Sequence, residues 1–155
     1  MSADCIPAAP DTWTAAAGFS LVLPGTPLGV RDALDRAMAA PCLADLSDMA
    51  RGSLWIVLAE VLNNVTEHAY ATARGTIVLR LWRFESGVAA EVVDHGAPMP
   101  GLELPAGRLT DIDSLPLEDL PEGGFGWFLI RTMTDWLIYD RVGQQNRLRF
   151  CMECA

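Results

Sequence analysis

The chain has 155 residues, 51% of them hydrophobic and 20% charged, with a formal net charge of −9. All 11 basic residues are arginine, which excludes a Walker A loop, the strand lysine of an ordinary protein kinase and Schiff-base chemistry, each of which needs a lysine amine. The arginines form no stripe that could neutralise a run of phosphates, so no nucleic-acid partner is expected, and the apolar runs fall short of the ~18–20 residues of a membrane span.

The length suits one domain, and the segment Met1 to Gly18 reads as a flexible, Ala-rich tail before a single domain over 19–155. It lacks the basic start and apolar middle of a secretory signal. A cytoplasmic location is therefore expected, with the four cysteines as reduced thiols.

Phe19 to Leu23 alternates and is closed by Pro24-Gly25, which predicts a first strand. From Thr26 a helix is predicted: Pro27 suits the first turn, and Val30, Leu34, Ala37 and Met38 keep helical spacing up to Pro41. Ser47 is placed to cap a longer helix running to about Tyr70, whose buried face carries Leu54, Leu58, Val61 and Val65. Thr76 to Glu85 and Val88 to Val93 predict an antiparallel hairpin turned at Ser86-Gly87. Phe125 to Thr134 predicts a helix that starts straight after glycines. Trp136 to Val142 and Arg147 to Met152 then predict a second hairpin, turned across Gly143 to Asn146. The expected class is α+β: a two-layer sandwich with a mixed, mostly antiparallel sheet and helices on one face.

Pro98 to Gly124 differs in texture, with half of the ten prolines and six acidic residues against Arg108 alone. A loop longer than ~12–15 residues in a compact domain is usually functional, and its spaced leucines argue against a mere tether. It is expected to be a lid.

Three polar groupings carry the chemistry. On the long helix Glu60 and Asn64 are four apart and His68 continues the line, a stripe that also describes a solvated face. If the stripe points into a pocket, Asn64 supplies an oxygen of the kind Mg2+ prefers, and Glu60 is placed to take a proton from an attacking hydroxyl. The apolar strand Val92-Val93 ends at Asp94-His95-Gly96. There a carboxylate can accept from an exocyclic amine of adenine and glycine permits close approach, although Asp-x-Gly is also a common turn. Gly123-Gly124-Phe125-Gly126 leads into a helix, offering backbone N–H groups to phosphate without a lysine, or a hinge.

In this order the three groupings resemble the GHKL ATPases of the Bergerat fold, and among them the anti-sigma-factor serine kinases. The likeness runs from Glu60-Val-Leu-Asn-Asn64-Val-Thr-Glu-His68 through Asp94-His-Gly96 and Gly123-Gly-Phe-Gly126 to the ending Tyr139-Asp-Arg-Val-Gly143-Gln-Gln-Asn146, so it spans about Phe19 to Met152. The resemblance implies a protein kinase that uses ATP and Mg2+ to phosphorylate a serine of an anti-anti-sigma (STAS-type) antagonist, sequesters a sigma factor and pairs with itself through the sheet. It implies Glu60 as general base, Asn64 as Mg2+ ligand, and Asp94 with Gly96 at adenine. Gly123, Gly124, Phe125 and Gly126 fall at the phosphates, His68 in or beneath the pocket, and Arg31 at a partner surface. The alternatives are a non-catalytic, nucleotide-responsive binding module of the same fold and the catalytic half of a split histidine kinase, for which the chain has no phosphoacceptor helix. Departures from the family pattern are a second asparagine, Asn63, before Asn64, the bulky Trp127 after the last lid glycine, and the acidic lid.

Cys151-Met-Glu-Cys154 has metal-like spacing, but on a strand residues three apart face opposite sides, so these read as strand thiols. A metal site from His68, His95 and Asp94 lacks supporting ligands, and the five tryptophans read as packing residues.

Overall fold

A computed structural model describes residues 18–107 and 125–154. The N-terminal tail expected over 1–18, apart from Gly18, and the 108–124 part of the lid, with Gly123 and Gly124, lie outside the described residues. Among the described residues five strands and three α-helices follow in the order β1 (Phe19–Pro24), α1 (Pro27–Met38), α2 (Asp48–Asn64), β2 (Thr76–Phe84), β3 (Gly87–Asp94), α3 (Phe125–Met133), β4 (Trp136–Val142) and β5 (Gln145–Glu153). The sheet order is β1-β2-β3-β5-β4. Every described pairing is antiparallel, so the mixed character expected of the sheet resolves to one direction of pairing. The α+β sandwich is as the alternation and helical spacing imply, and none of the described helices is long and apolar enough to cross a membrane.

Local chemistry sets the helix starts where the sequence places them. Thr26 Oγ1 accepts from Gly29 N at 3.1 Å with Pro27 in the first turn, and Ser47 Oγ accepts from Ala50 N at 3.2 Å with Asp48 beside the positive end of the dipole. Arg51 donates to the carbonyl of Met38 at the far end of α1 (2.7 Å) and to that of Leu43 in the 3-10 turn that follows (2.5 Å). Backbone acceptors that a helix end leaves open are thus satisfied by a neighbouring helix.

The core lies between the helices and one face of the sheet. Leu54, Val57, Leu58, Val61 and Leu62 of α2 are fully buried against Ile77, Leu79, Leu81, Val88, Ala90 and Phe150, so truncating one of these leucines to alanine would cost about 2–5 kcal/mol. On the opposite face Glu91 of the central strand is buried between Arg80 (2.6 Å) and Arg147 (3.9 Å). Cys151 packs on that outer side with Trp82 and Ala89, whereas Cys154 packs against the main core, the opposed facing that a strand imposes on residues three apart.

One boundary differs in kind. The long helix expected to reach Tyr70 is α-helical only to Asn64, and Val65–Ala69 form a π-helical turn closed by Tyr70 N donating to Val65 O at 3.0 Å. Such wide turns cluster at functional sites because they re-aim the side chains that follow.

Candidate functional site

Three apolar ladders on the helix-facing side of the sheet end in a polar residue at the same edge. Val88, Ala90 and Val92 lead to Asp94; Met152, Phe150 and Leu148 lead to Asn146; Leu137 leads to Tyr139 and Arg141. Register makes Asp94 the direct cross-strand partner of Asn146, and Asn146 that of Arg141. Polar groups at core-facing positions are costly unless bonded, and these bond one another. Asp94 Oδ1 accepts from Gly96 N and from Asn146 Nδ2, both at 2.8 Å. Asn146 Oδ1 accepts from the Tyr139 hydroxyl at 2.7 Å and from Arg141 Nη1 at 2.6 Å.

The π turn forms the opposite corner. Ala97 N donates to Ala69 O at 2.9 Å, and a Cβ at residue 96 would stand 2.3 Å from that carbonyl, so the close approach requires Gly96. Tyr70 ties the corner to the sheet: its hydroxyl donates to Thr76 O at 2.7 Å and accepts from His95 N at 3.0 Å.

Between these walls lies a cavity of about 320 Å³. Val61, Val65, Ala69, Trp127 and Leu148 line its apolar sides, together with Pro98, Met99, Pro100 and Pro105 of the segment that follows β3. Asn64, His68, Asp94, Tyr139 and Asn146 supply its polar atoms. That segment is tied down at two points, Met99 N donating to the Tyr139 hydroxyl (3.1 Å) and Arg131 Nε of α3 donating to Pro105 O (2.8 Å).

Of the residues singled out by sequence, Asn64, His68 and Asp94 meet in this cavity, with His68 on its exposed rim. Gly96 adjoins it. Glu60 is not among the lining residues: it lies one helical turn before Asn64, where its Oε2 would stand 2.5 Å from a Cβ at residue 126. Gly126 is buried there and Phe125 is exposed. The Asn64 Nδ2 is buried without a hydrogen-bond partner among the described residues. Arg31 stands exposed on α1, away from these residues in chain and element. Among the described residues no group of three or more His, Cys, Asp or Glu is assembled as a metal cluster, so His68, His95 and Asp94 do not form one.

The family model described as the histidine kinase-like ATPase domain matches residues 23–152, which takes in the cavity and every strand and α-helix except most of β1 and the last residue of β5. The chain belongs to that family.

Within the histidine kinase-like ATPase family, it is 40% identical over 83 residues to the serine-protein kinase RsbW of Halalkalibacterium halodurans, covering 52% of this chain and 49% of that one. To the serine-protein kinase RsbW of Bacillus cereus it is 32% identical over 92 residues, covering 59% and 54%. The chain thus spans about half the length of the curated relatives it matches. A solved histidine kinase domain, from the Erythrobacter litoralis EL346 blue-light activated histidine kinase, aligns over 81% of this chain and 61% of that one at 17% identity, with a TM-score of 0.49.

Sequence reasoning passed over Tyr139, Arg141, Asn146 and Trp127 as site residues of this ATPase domain. A signal was present for Tyr139 and Arg141, polar side chains where period-two alternation demands apolar ones, whereas Asn146 was expected in the turn Gly143 to Asn146 and lies instead in β5, which starts at Gln145. Trp127 gives no such signal, since its place on the cavity wall depends on how α3 packs.

Proposed function

We propose that this histidine kinase-like ATPase domain is an ATP-binding serine protein kinase of the anti-sigma-factor type, which phosphorylates a small STAS-type antagonist and sequesters a sigma factor. The observation that carries the reading is the meeting of Asn64 from α2 and Asp94 from β3 in one apolar cavity of about 320 Å³. A flat purine suits such walls, with Asp94 as acceptor for its exocyclic amine. The likeness to two RsbW serine-protein kinases favours phosphoryl transfer to a protein serine.

The residues present fit a Mg2+ nucleotide. Asn64 carries an amide oxygen of the kind the ion takes, its buried Nδ2 is a donor without a partner among the described residues and suits a phosphate oxygen, and Glu60 is one turn away with its carboxylate against Gly126. Asn64 would hold the ion, which when bound neutralises phosphate charge. Glu60 takes the proton from the attacking serine hydroxyl. Gly123, Gly124, Phe125 and Gly126 contribute backbone N–H groups to the phosphates, His68 borders the nucleotide, and the 98–124 segment closes over it. Arg31 belongs to the surface that meets the partner, and two copies pair through the sheet.

Incubation with Mg-ATP and a STAS-type antagonist tests the reading. Phosphoserine should form on the antagonist and disappear in Glu60→Ala, while nucleotide binding persists in that variant. Binding without transfer in the unaltered protein would instead support the non-catalytic module, and absence of nucleotide binding would defeat both.

A further inference from the structure

The buried network behind Asp94 has only one arrangement of donors and acceptors. Asn146 is 4% exposed, and its Oδ1 accepts from Arg141 Nη1 (2.6 Å) and the Tyr139 hydroxyl (2.7 Å). Turning the amide over would set its N–H group against the guanidinium N–H, two donors face to face. Its Nδ2 is thereby aimed at Asp94 Oδ1 (2.8 Å), with the carbonyls of Ala97 (3.1 Å) and Gly96 (3.2 Å) beside it. Gly96 N takes a second position on the same Oδ1. Both bonds fall on one carboxylate oxygen, and Oδ2 has no described partner.

We infer that Asn146 and Tyr139 are positioning residues that set the base selectivity of this site. They hold Asp94 with Oδ1 occupied, so that Oδ2 is presented as an acceptor to a purine bearing an exocyclic amine and opposed to one bearing a carbonyl at that point. The inference rests on the nucleotide-binding reading of the cavity and deepens it. The same hydroxyl of Tyr139 that orients Asn146 also accepts from Met99 N at 3.1 Å, so the lid root and the base-reading carboxylate share one anchor. A site built to hydrogen-bond a ligand group rejects the analogue lacking it strongly, because its buried polar atoms are left unpaired, and that rejection fails once the carboxylate can turn.

The test compares Mg-ATP with Mg-GTP by calorimetry on the full chain. Wild type should favour ATP. Asn146→Ala should reduce the ATP-to-GTP affinity ratio by about tenfold or more, and Tyr139→Phe by a smaller factor of about three to five. Leu148→Val, which alters the cavity wall without touching the network, should weaken both nucleotides alike and leave the ratio unchanged. If Asn146→Ala does not fold, as judged by circular dichroism, Tyr139→Phe alone decides. Folded variants that keep the wild-type ratio overturn the inference while leaving nucleotide binding intact. A wild-type chain that binds neither nucleotide overturns the cavity reading itself, and the inference with it.

Discussion

Gly126 of α3 lies against the carboxylate of Glu60 on α2: a Cβ at residue 126 would stand 2.5 Å from Oε2, and the next atoms, Glu60 Cδ and Asn64 Nδ2, are at 3.5 and 4.0 Å. The obstructing atom is the tip of a flexible side chain, so Gly126→Ala should fold, with the carboxylate displaced to make room. A displacement of about 1 Å at a reacting group can lower a rate by about 100-fold. Phosphotransfer by Gly126→Ala should therefore fall by about ten- to 100-fold with little change in melting temperature. Combined with Glu60→Ala the loss should not be additive, since both changes act on one carboxylate. Additive losses in the double variant would show that Gly126 works through something else.

Asp94 is tested by a change that keeps the fold's own bonds. In Asp94→Asn the remaining oxygen can still accept from Gly96 N and Asn146 Nδ2, so the sheet edge should hold. What changes is the other oxygen's position, which becomes an N–H donor and, on the proposed reading, would oppose the amine of the base. Leaving such a buried group mispaired costs about 1–3 kcal/mol, so Mg-ATP affinity should drop by about five- to 150-fold in a titration. Unchanged affinity in a folded Asp94→Asn protein would mean that the base is not read here.

How far the sequence carries is clearest around these two residues. Alternation and capping residues placed the five strands and three α-helices of the described residues, and the apolar strand ending in Asp94 already marked a carboxylate at a strand end. The π turn at Val65–Ala69 left no trace in the periodicity, because one widened turn shifts the helical phase too little to read from five residues. Asn146 as the partner of Asp94 depends on cross-strand register between segments 52 positions apart, which local pattern does not specify. Nor does helical spacing say that Glu60 and Asn64 both come up against α3 at Gly126, with Asn64 alone of the two lining the cavity. That arrangement follows from where Gly126 docks.

Tyr70 gives a pH-dependent prediction. Burial pushes its hydroxyl above the ordinary value of about 10, the bond from His95 N works in the other direction, and the neighbouring Asp94 charge pushes it up again. The folded state therefore favours the neutral phenol. The resulting stability is full below about pH 10 and is lost as the pH rises through the higher folded-state value. Urea unfolding from about pH 8 to about pH 11 should show stability declining at the alkaline end, and a shallower decline in Tyr70→Phe. At neutral pH that variant should lose about 1–3 kcal/mol, because His95 N and Thr76 O lose their shared partner. Parallel pH profiles for the two proteins would remove Tyr70 as the source.

Arg131 links α3 to the lid root. Its Nε donates to Pro105 O at 2.8 Å and its Nη2 to Leu104 O at 3.4 Å, while Gly107, at φ +62°, approaches the Trp127 backbone so closely that a Cβ there would stand 2.8 Å from it. The segment covering the cavity is therefore held to the helix that carries a cavity wall residue, by bonds that contribute little to the core. Charge-assisted bonds to carbonyls at an exposed site are worth about 1 kcal/mol, a factor of about five in an equilibrium. Arg131→Ala should leave the melting temperature nearly unchanged yet release Mg-ATP about three- to tenfold faster. Stopped-flow displacement monitored through Trp127 reads the difference, and a dissociation rate equal to wild type would show that the arginine does not hold the lid closed.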